Sequence, residues 1–260
     1  MRVGLRRLRA AMSLFAVLLR DPQTAAMKAK LKWLAGELGP ARELEVLVDR
    51  VAAPIKRQRR RWGGMPLLSR ELAERRDAAL TRAQDAVKSG RFRALTLDTA
   101  AWLQAGLWTN PRDDLVRDRG ELPIVVFAAE QLTRRWRKVR KKGRALAQFD
   151  ARRRHKLRIQ AKKLRYAAEF FASLFARKRA FKRRKQFLDA LGRLQDGLGD
   201  LNNIAVHEKR IAAIGKQRSN PSRTFAAGLL TGLEDARTDA AMIVATEAYA
   251  DFGQVKPFWR

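Results

Sequence analysis

The stretch that decides the fold is Arg152–Phe175, "RRRHKLRIQAKKLRYAAEFFASLF". Leu157, Ala161, Leu164, Ala168, Phe171 and Phe175 recur at alternating steps of four and three, the spacing of one helix face. Arg152–Tyr166 alone holds eight Lys or Arg and no acid. His155, Arg158, Lys162, Arg165 and Glu169 form a second stripe, about 100° round the helix from the apolar one. Cations on the far side of a helix only meet water. Cations that flank the apolar seam line the edge of the groove between packed helices.

The same face is written twice. At a shift of 156, "MRVGLRRLRAAMSLF" from Met1 lies over "LRIQAKKLRYAAEFF" from Leu157. Arg2, Arg6, Arg7, Leu8 and Arg9 meet Arg158, Lys162, Lys163, Leu164 and Arg165. At a shift of 160, "LGPARELEVL" from Leu38 meets "LGDLNNIAVH" from Leu198. Two blocks matched in the same order predict a duplicated helical unit. The first repeat is placed at residues 1–120 and the second at 121–260, with the Pro- and Gly-bearing segment Thr109–Pro123 at their junction. In this register the second repeat has a helix ahead of its basic helix, while the first opens inside its own. The counterpart helix and the counterpart of His155 are therefore expected ahead of Met1, with the histidine two residues before it, or else this protein has lost that helix.

Helical periodicity dominates the remainder. Helices are predicted from Met1 to Leu19, then over Gln23–Leu38, Pro40–Arg57, Leu67–Lys88, Arg91–Leu107, Leu122–Phe149, Phe181–Leu198, Leu201–Ile214 and Pro221–Tyr249. Gly39-Pro40 reads as a joint between helices, and Gly199-Asp200 as a second joint with an Asp N-cap that also accounts for Asp196. Arg57–Pro66, "RQRRRWGGMP", reads as a loop or a frayed helix end. No segment alternates with period two, so the expected class is all-α. Trp33, Trp62, Trp102, Trp108 and Trp136 fall mostly in apolar stripes and read as core.

The 260 residues carry 57 Lys or Arg against 26 Asp or Glu, a net charge of +31, and 40 of the basic residues are Arg. Such an excess opposes folding by self-repulsion and calls for an anionic partner. Arginine suits multidentate oxyanions, because its fork carries five fixed donors. Residues 131–187 hold 23 Lys or Arg against Asp150 and Glu169, so the charge is local. Within them, "LTRRWRKVRKKGRAL" (Leu132–Leu146) has an apolar stripe of Leu132, Trp136, Val139, Gly143 and Leu146. Arg134, Arg137, Lys141 and Arg144 run beside it, one step before Arg135, Lys138 and Lys142. Charged helical residues usually form a solvated face, and the run near Lys182 is read that way. The stripes at Arg2/Arg6/Arg9 and Arg158/Lys162/Arg165 read otherwise. They recur, flank the seam and lack acids four residues on, where like charges destabilise a helix by a few tenths of a kcal/mol per pair.

Signals for catalysis are poor. The chain lacks cysteine, which excludes disulfides and thiolate chemistry. It has no phosphate-binding loop, nucleophile elbow or kinase motif. Glu43 and Glu45 are two residues apart and cannot share one helical face. Its two histidines, His155 and His207, lack metal-ligand spacing, and His207 reads as structural. No apolar run approaches a membrane span. The chain is therefore read as a cytoplasmic binding protein, with no enzyme activity, cofactor or metal expected.

"HKLRIQAKKLRYAAEFF", its partner at Met1, the paired blocks at Leu38 and Leu198, "LTRRWRKVRKKGR" and "RFRALTLDTAAWLQAGLW" together resemble the CHAD family, the conserved histidine α-helical domain. The resemblance spans nearly the whole chain. It implies a helical bundle of two similar four-helix units around a basic central groove or pore. It also implies binding of inorganic polyphosphate, at polyphosphate granules or beside a CYTH-type triphosphate-processing domain. The family's basic positions fall on Arg2, Arg6, Arg9, His155, Arg158, Lys162 and Arg165, with Arg134, Arg137 and Lys141 added from the preceding helix. Two features depart from the family. The first-half histidine has no counterpart, and an aspartate common after the joint is Glu43 here and Asn203 in the second half. The alternative to polyphosphate is a helical nucleic-acid-binding protein, which would carry exposed aromatics among the basic residues, or Asn and Gln on a recognition helix.

Overall fold

The computed structural model describes residues 1–49, 64–176, 178–215 and 221–260. Among these residues there is no strand. The α-helices are α1 (Arg2–Leu14), α2 (Pro22–Leu47), α3 (Met65–Lys88), α4 (Gly90–Ala105), α5 (Asp114–Glu121), α6 (Ile124–Gly143), α7 (Ala151–Phe170), α8 (Lys178–Gly215), α9 (Pro221–Asp235) and α10 (Thr238–Gln254). No described helix is long and apolar enough to cross a membrane.

Short polar side chains start several of these helices by satisfying free backbone N–H groups. Asp21 accepts from the Thr24 N–H at 2.7 Å, with Pro22 in the first turn of α2. Ser89 caps α4 through the Phe92 N–H, and Asp150 caps α7 through the Arg153 N–H. Gly64 precedes α3 at φ 84°, and a Cβ there would sit 1.8 Å from the Ser222 carbonyl oxygen. Only glycine meets both constraints.

The described chain forms two compact units. The first comprises Met1–Arg6, Arg20–Asn110 and Val206–Ala236. Its core joins Ala41, Leu44 and Leu47 of α2, Met65, Leu68 and Leu72 of α3, Ile211 of α8, and Ala226, Ala227 and Leu230 of α9. The buried Trp102 indole N–H donates to Thr24 Oγ1 at 3.1 Å, tying α4 to α2. Inside this core His207 Nδ1 lies 2.8 Å from Glu234 Oε2, both side chains almost wholly buried, in keeping with a structural histidine.

The second unit comprises Arg7–Leu19, Pro111–Ala205 and Arg237–Arg260. Its core is larger and more aromatic. Leu157, Ala161, Leu164, Ala168 and Phe171 are all buried there, as the periodicity of α7 requires. Phe15 stacks on Phe127 at 5.5 Å and meets Phe171 edge-on, which fixes the end of α1 against α6 and α7. Phe258 and Trp259 close the core against Phe187.

Several predicted boundaries are corrected. Gly39 and Pro40 lie inside α2, and Gly199 and Asp200 lie inside α8, so neither pair is a joint and Asp200 is not at a helix start. Proline lacks one intrahelical donor, but the Gly36 carbonyl it leaves belongs to an exposed residue, where water can pair with it. Helix α1 ends at Leu14, α6 ends at Gly143, and α7 ends at Phe170 ahead of a short 3₁₀ turn. The predicted helix Pro221–Tyr249 is two helices, α9 and α10. The predicted loop at Arg57–Pro66 falls mostly outside the described residues, as do Trp62 and the end of the helix predicted to Arg57. Its last two residues, Met65 and Pro66, begin α3.

Candidate functional site

The basic stripe of α7 lies along α8 within the second unit, and the order of its contacts is antiparallel. His155 Nδ1 is 2.6 Å from Asn202 Oδ1. Further along, the Arg158 guanidinium passes Gly199, and that of Arg165 passes Gly192. A Cβ at either glycine would still sit in ordinary contact, 3.9 Å and 3.8 Å from the nearest guanidinium nitrogen. Gln195 donates to the Ala161 carbonyl at 3.0 Å and holds the two helices in this register. With Asn202 Oδ1 as acceptor, His155 Nδ1 carries the proton, and Nε2 is left for another partner.

Arg165 donates to Glu169 at 2.9 Å, so one of the predicted stripes does have an acid four residues on, contrary to the sequence reading. Glu169 also draws Arg7 to 3.7 Å, and the Arg7 guanidinium lies over the Phe170 ring at 5.3 Å. A single carboxylate thus orients cations from α1 and α7. The predicted stripe of α1 is divided. Arg9 belongs to the second unit, whereas Arg2 and Arg6 belong to the first.

A second line of cations was not singled out by sequence. Arg135 of α6 is buried, and its guanidinium donates to the Ser13 carbonyl at 2.9 Å. Burial, followed by the neighbouring Arg134 charge, pulls its pKa down to about 10. Lys163 of α7 is also shifted down, by burial first and then by Arg135 and Lys138. These shifts have no carboxylate among their causes, so cation meets cation at the α6–α7 seam. The other flank of α6 differs. Arg134, Arg137 and Lys141 are exposed, and Arg134 donates to Gln131 at 2.7 Å. The sequence placed cations on both flanks of the Leu132/Trp136/Val139 seam. Nothing in it said which flank packs against α7.

The first unit treats its stripe differently. Burial, then Arg6 and Arg42, lower the Arg2 pKa, while Glu43 and Glu45 oppose the shift. Glu43 takes a short hydrogen bond from Arg210, and Glu45 takes one from Arg42 at 2.7 Å. Of the predicted core tryptophans, Trp102 and Trp136 are buried. Trp33 and Trp108 are half-buried, with Arg91 stacked over Trp33 at 4.1 Å. Among the described residues, no group of three or more His, Asp or Glu side chains is placed to hold a metal ion.

Comparison with known proteins agrees with this architecture. A family model described as the CHAD domain matches residues 1–212. The structure is similar to the crystal structure of the CHAD domain from the plant Ricinus communis, with a TM-score of 0.76 and 26% identity, over 98% of this chain and 81% of that one. PptA from Streptomyces chartreusis shares the fold at a TM-score of 0.63 and 18% identity, over 96% of this chain and 87% of that one. No curated protein matches the chain by sequence.

Proposed function

Because the chain belongs to the CHAD family, we propose that it binds inorganic polyphosphate, without catalysis, through the basic stripes flanking its helix seams. One observation carries the reading. Helix α7 packs His155, Arg158 and Arg165 along α8, with Lys162 on the same stripe, beside a seam where burial and the Arg135 and Lys138 charges push down the Lys163 pKa. Cations crowded in this way raise the free energy of the empty protein, and a polyanion lowers it.

A phosphate chain carries about one charge per unit. Its binding follows the reasoning for a nucleic-acid backbone, in which each neutralised phosphate releases a counterion and affinity falls steeply with salt. Guanidinium forks add bidentate contacts to adjacent phosphoryl oxygens. His155, held through Nδ1, presents Nε2 to the chain. Arg9, in the same unit, is assigned to the same ligand. Arg2 and Arg6 supply the equivalent contact in the first unit, where Glu43 and Glu45 oppose the downward shift on Arg2. The exposed Arg134, Arg137 and Lys141 strengthen the field that draws the chain in.

The cellular setting that goes with this reading is cytoplasmic, at polyphosphate granules or beside a CYTH-type partner. Nucleic acid is disfavoured, because the described tryptophans are core or half-buried groups and offer no row of stacking platforms among the described residues. The experiment is a titration of long-chain polyphosphate against duplex DNA and RNA of matched total charge, at one ionic strength. The proposal expects polyphosphate to bind at least about tenfold more tightly, since close-spaced phosphates satisfy more of the arginine forks at once. Equal or tighter binding of either nucleic acid would overturn it.

A further inference from the structure

The second unit holds an open cavity of about 650 Å³ on the outer flank of α6, from which the reading above takes only the long-range attraction of Arg134 and Arg137. Its wall is assembled from three separated parts of the chain. Arg119 comes from α5, Arg134 and Arg137 come from α6, and Trp259 and Arg260 close it from the C-terminal segment. Four guanidinium groups thus face one carboxylate side chain, that of Glu130, which lies 3.8 Å from Arg119.

The wall is built rather than incidental. The Trp259 indole N–H donates to Thr133 Oγ1 at 3.0 Å, and its ring packs into the core against Phe187 and Phe258. That anchor places Arg260 over the Trp136 ring at 5.2 Å. Arg134 is held by Gln131 at 2.7 Å. Thr133 Oγ1 accepts the indole proton, so its own hydroxyl hydrogen remains to donate. Arginine forks whose positions are fixed before a ligand arrives lose less entropy on binding than free ones do.

We propose that this cavity binds a compact anion carrying two or more adjacent phosphoryl groups, separately from the α7 stripe. Guanidinium is the group that pairs bidentately with phosphoryl oxygens, and four of them line this open cleft. Its volume accommodates a few phosphoryl groups. Trp259 is buried, so its ring face is not offered to a nucleobase. The site therefore reads the phosphoryl head and is indifferent to what is attached to it. Pyrophosphate and magnesium-free ATP should bind with affinities within a few-fold of each other. Inorganic phosphate, which engages fewer forks, should bind at least about tenfold more weakly.

The test is calorimetric titration of the full chain with pyrophosphate, ATP and inorganic phosphate, in the parent and two variants. Arg119→Gln with Arg260→Gln removes two cavity cations that have no part in the proposed polyphosphate contact. Arg158→Glu with Lys162→Glu disables the α7 stripe. Loss of two charge-assisted contacts should weaken pyrophosphate about tenfold or more in the cavity variant. Pyrophosphate should bind the α7 variant as it binds the parent, and long-chain polyphosphate should show the reverse pattern. Because Arg260 touches Trp136, Arg119→Gln alone serves as a milder variant, expected to weaken pyrophosphate while leaving the melting temperature unchanged. Pyrophosphate binding that survives both cavity variants, or that is lost in the α7 variant, overturns the proposal, as does failure of the parent to bind pyrophosphate. Failure of long-chain polyphosphate to bind the parent would instead remove the α7 reading and leave this one standing.

Discussion

Helices α3 and α7 are both dense in arginine, and the protein handles them in opposite ways. In α3 the acids are interleaved. Arg70 pairs with Glu74 at 2.8 Å, Arg75 with Glu71 at 2.6 Å and Arg76 with Asp77 at 2.9 Å, and Arg82 reaches Glu37 of α2 at 3.4 Å. This is how a helix carries charge when its only task is to face water. Helix α7 carries eight Lys or Arg and one acid, Glu169, and that acid serves two arginines. The neighbouring α6 buries Arg135, and the Arg135 and Lys138 charges press on Lys163 of α7. Two arginine-rich helices thus separate into a neutralised one and one whose cations accumulate along a packed seam. On the proposed reading, it is the second that meets the polyanion.

The largest expected effect breaks α7. Arg158→Glu with Lys162→Glu should leave helicity by circular dichroism intact and weaken long-chain polyphosphate by about a hundredfold, each reversed charge removing a phosphate contact and adding a repulsion. The next effect concerns stability. Arg135→Met should raise the stability of the ligand-free protein by about 1 kcal/mol, because an apolar side chain replaces a buried charge without an acidic partner, less the hydrogen bond to Ser13. The advantage depends on pH. Arg135 in the folded protein has a pKa of about 10, below its ordinary value, so the unfolded chain holds that proton more tightly. The penalty is fully present at neutral pH and is relieved as pH rises through about 10. Denaturant melts of parent and variant should therefore converge above that pH, and a constant gap would contradict the assignment.

Smaller effects sharpen the contrast. Glu169→Gln releases Arg7 and Arg165 from their shared carboxylate and should tighten polyphosphate by about threefold, the scale of one exposed ion pair. Weaker binding would mean that Glu169 positions those arginines more than it neutralises them. Glu74→Gln in α3 removes one exposed pair, and should change stability by less than about 0.5 kcal/mol and affinity not measurably.

Much of this was legible in the sequence. The 3.6-residue period of Leu157, Ala161, Leu164, Ala168 and Phe171 set the buried face of α7, and the same period located most of the helices. Gly39-Pro40 and Gly199-Asp200 misled because Gly followed by Pro or Asp is the local signal of a helix end and start. In α2 and α8 both pairs sit on helices long enough, and packed well enough, to absorb one lost bond or one flexible residue. At Gly199 the Arg158 guanidinium passes alongside, and a Cβ would still fit there in ordinary contact. The burial of Arg135 in place of Arg134 is a rotation of 100° about α6, which pattern alone does not fix when both flanks are basic. The C-terminal Phe258-Trp259-Arg260 has no periodicity to read, yet it closes the core and one wall of the cavity.

The central claim is that position, not net charge, decides binding. Its most direct measurement compares two variants that change the net charge by the same amount, at several salt concentrations. Arg158→Glu with Lys162→Glu lies on the α7 stripe, and Arg70→Glu with Arg82→Glu lies on α3. The account predicts that the α7 pair lowers polyphosphate affinity about a hundredfold and flattens the salt dependence by about two phosphates' worth of slope, while the α3 pair shifts affinity less than about threefold with the slope unchanged. Equal losses in the two variants, with equal changes in slope, would contradict it.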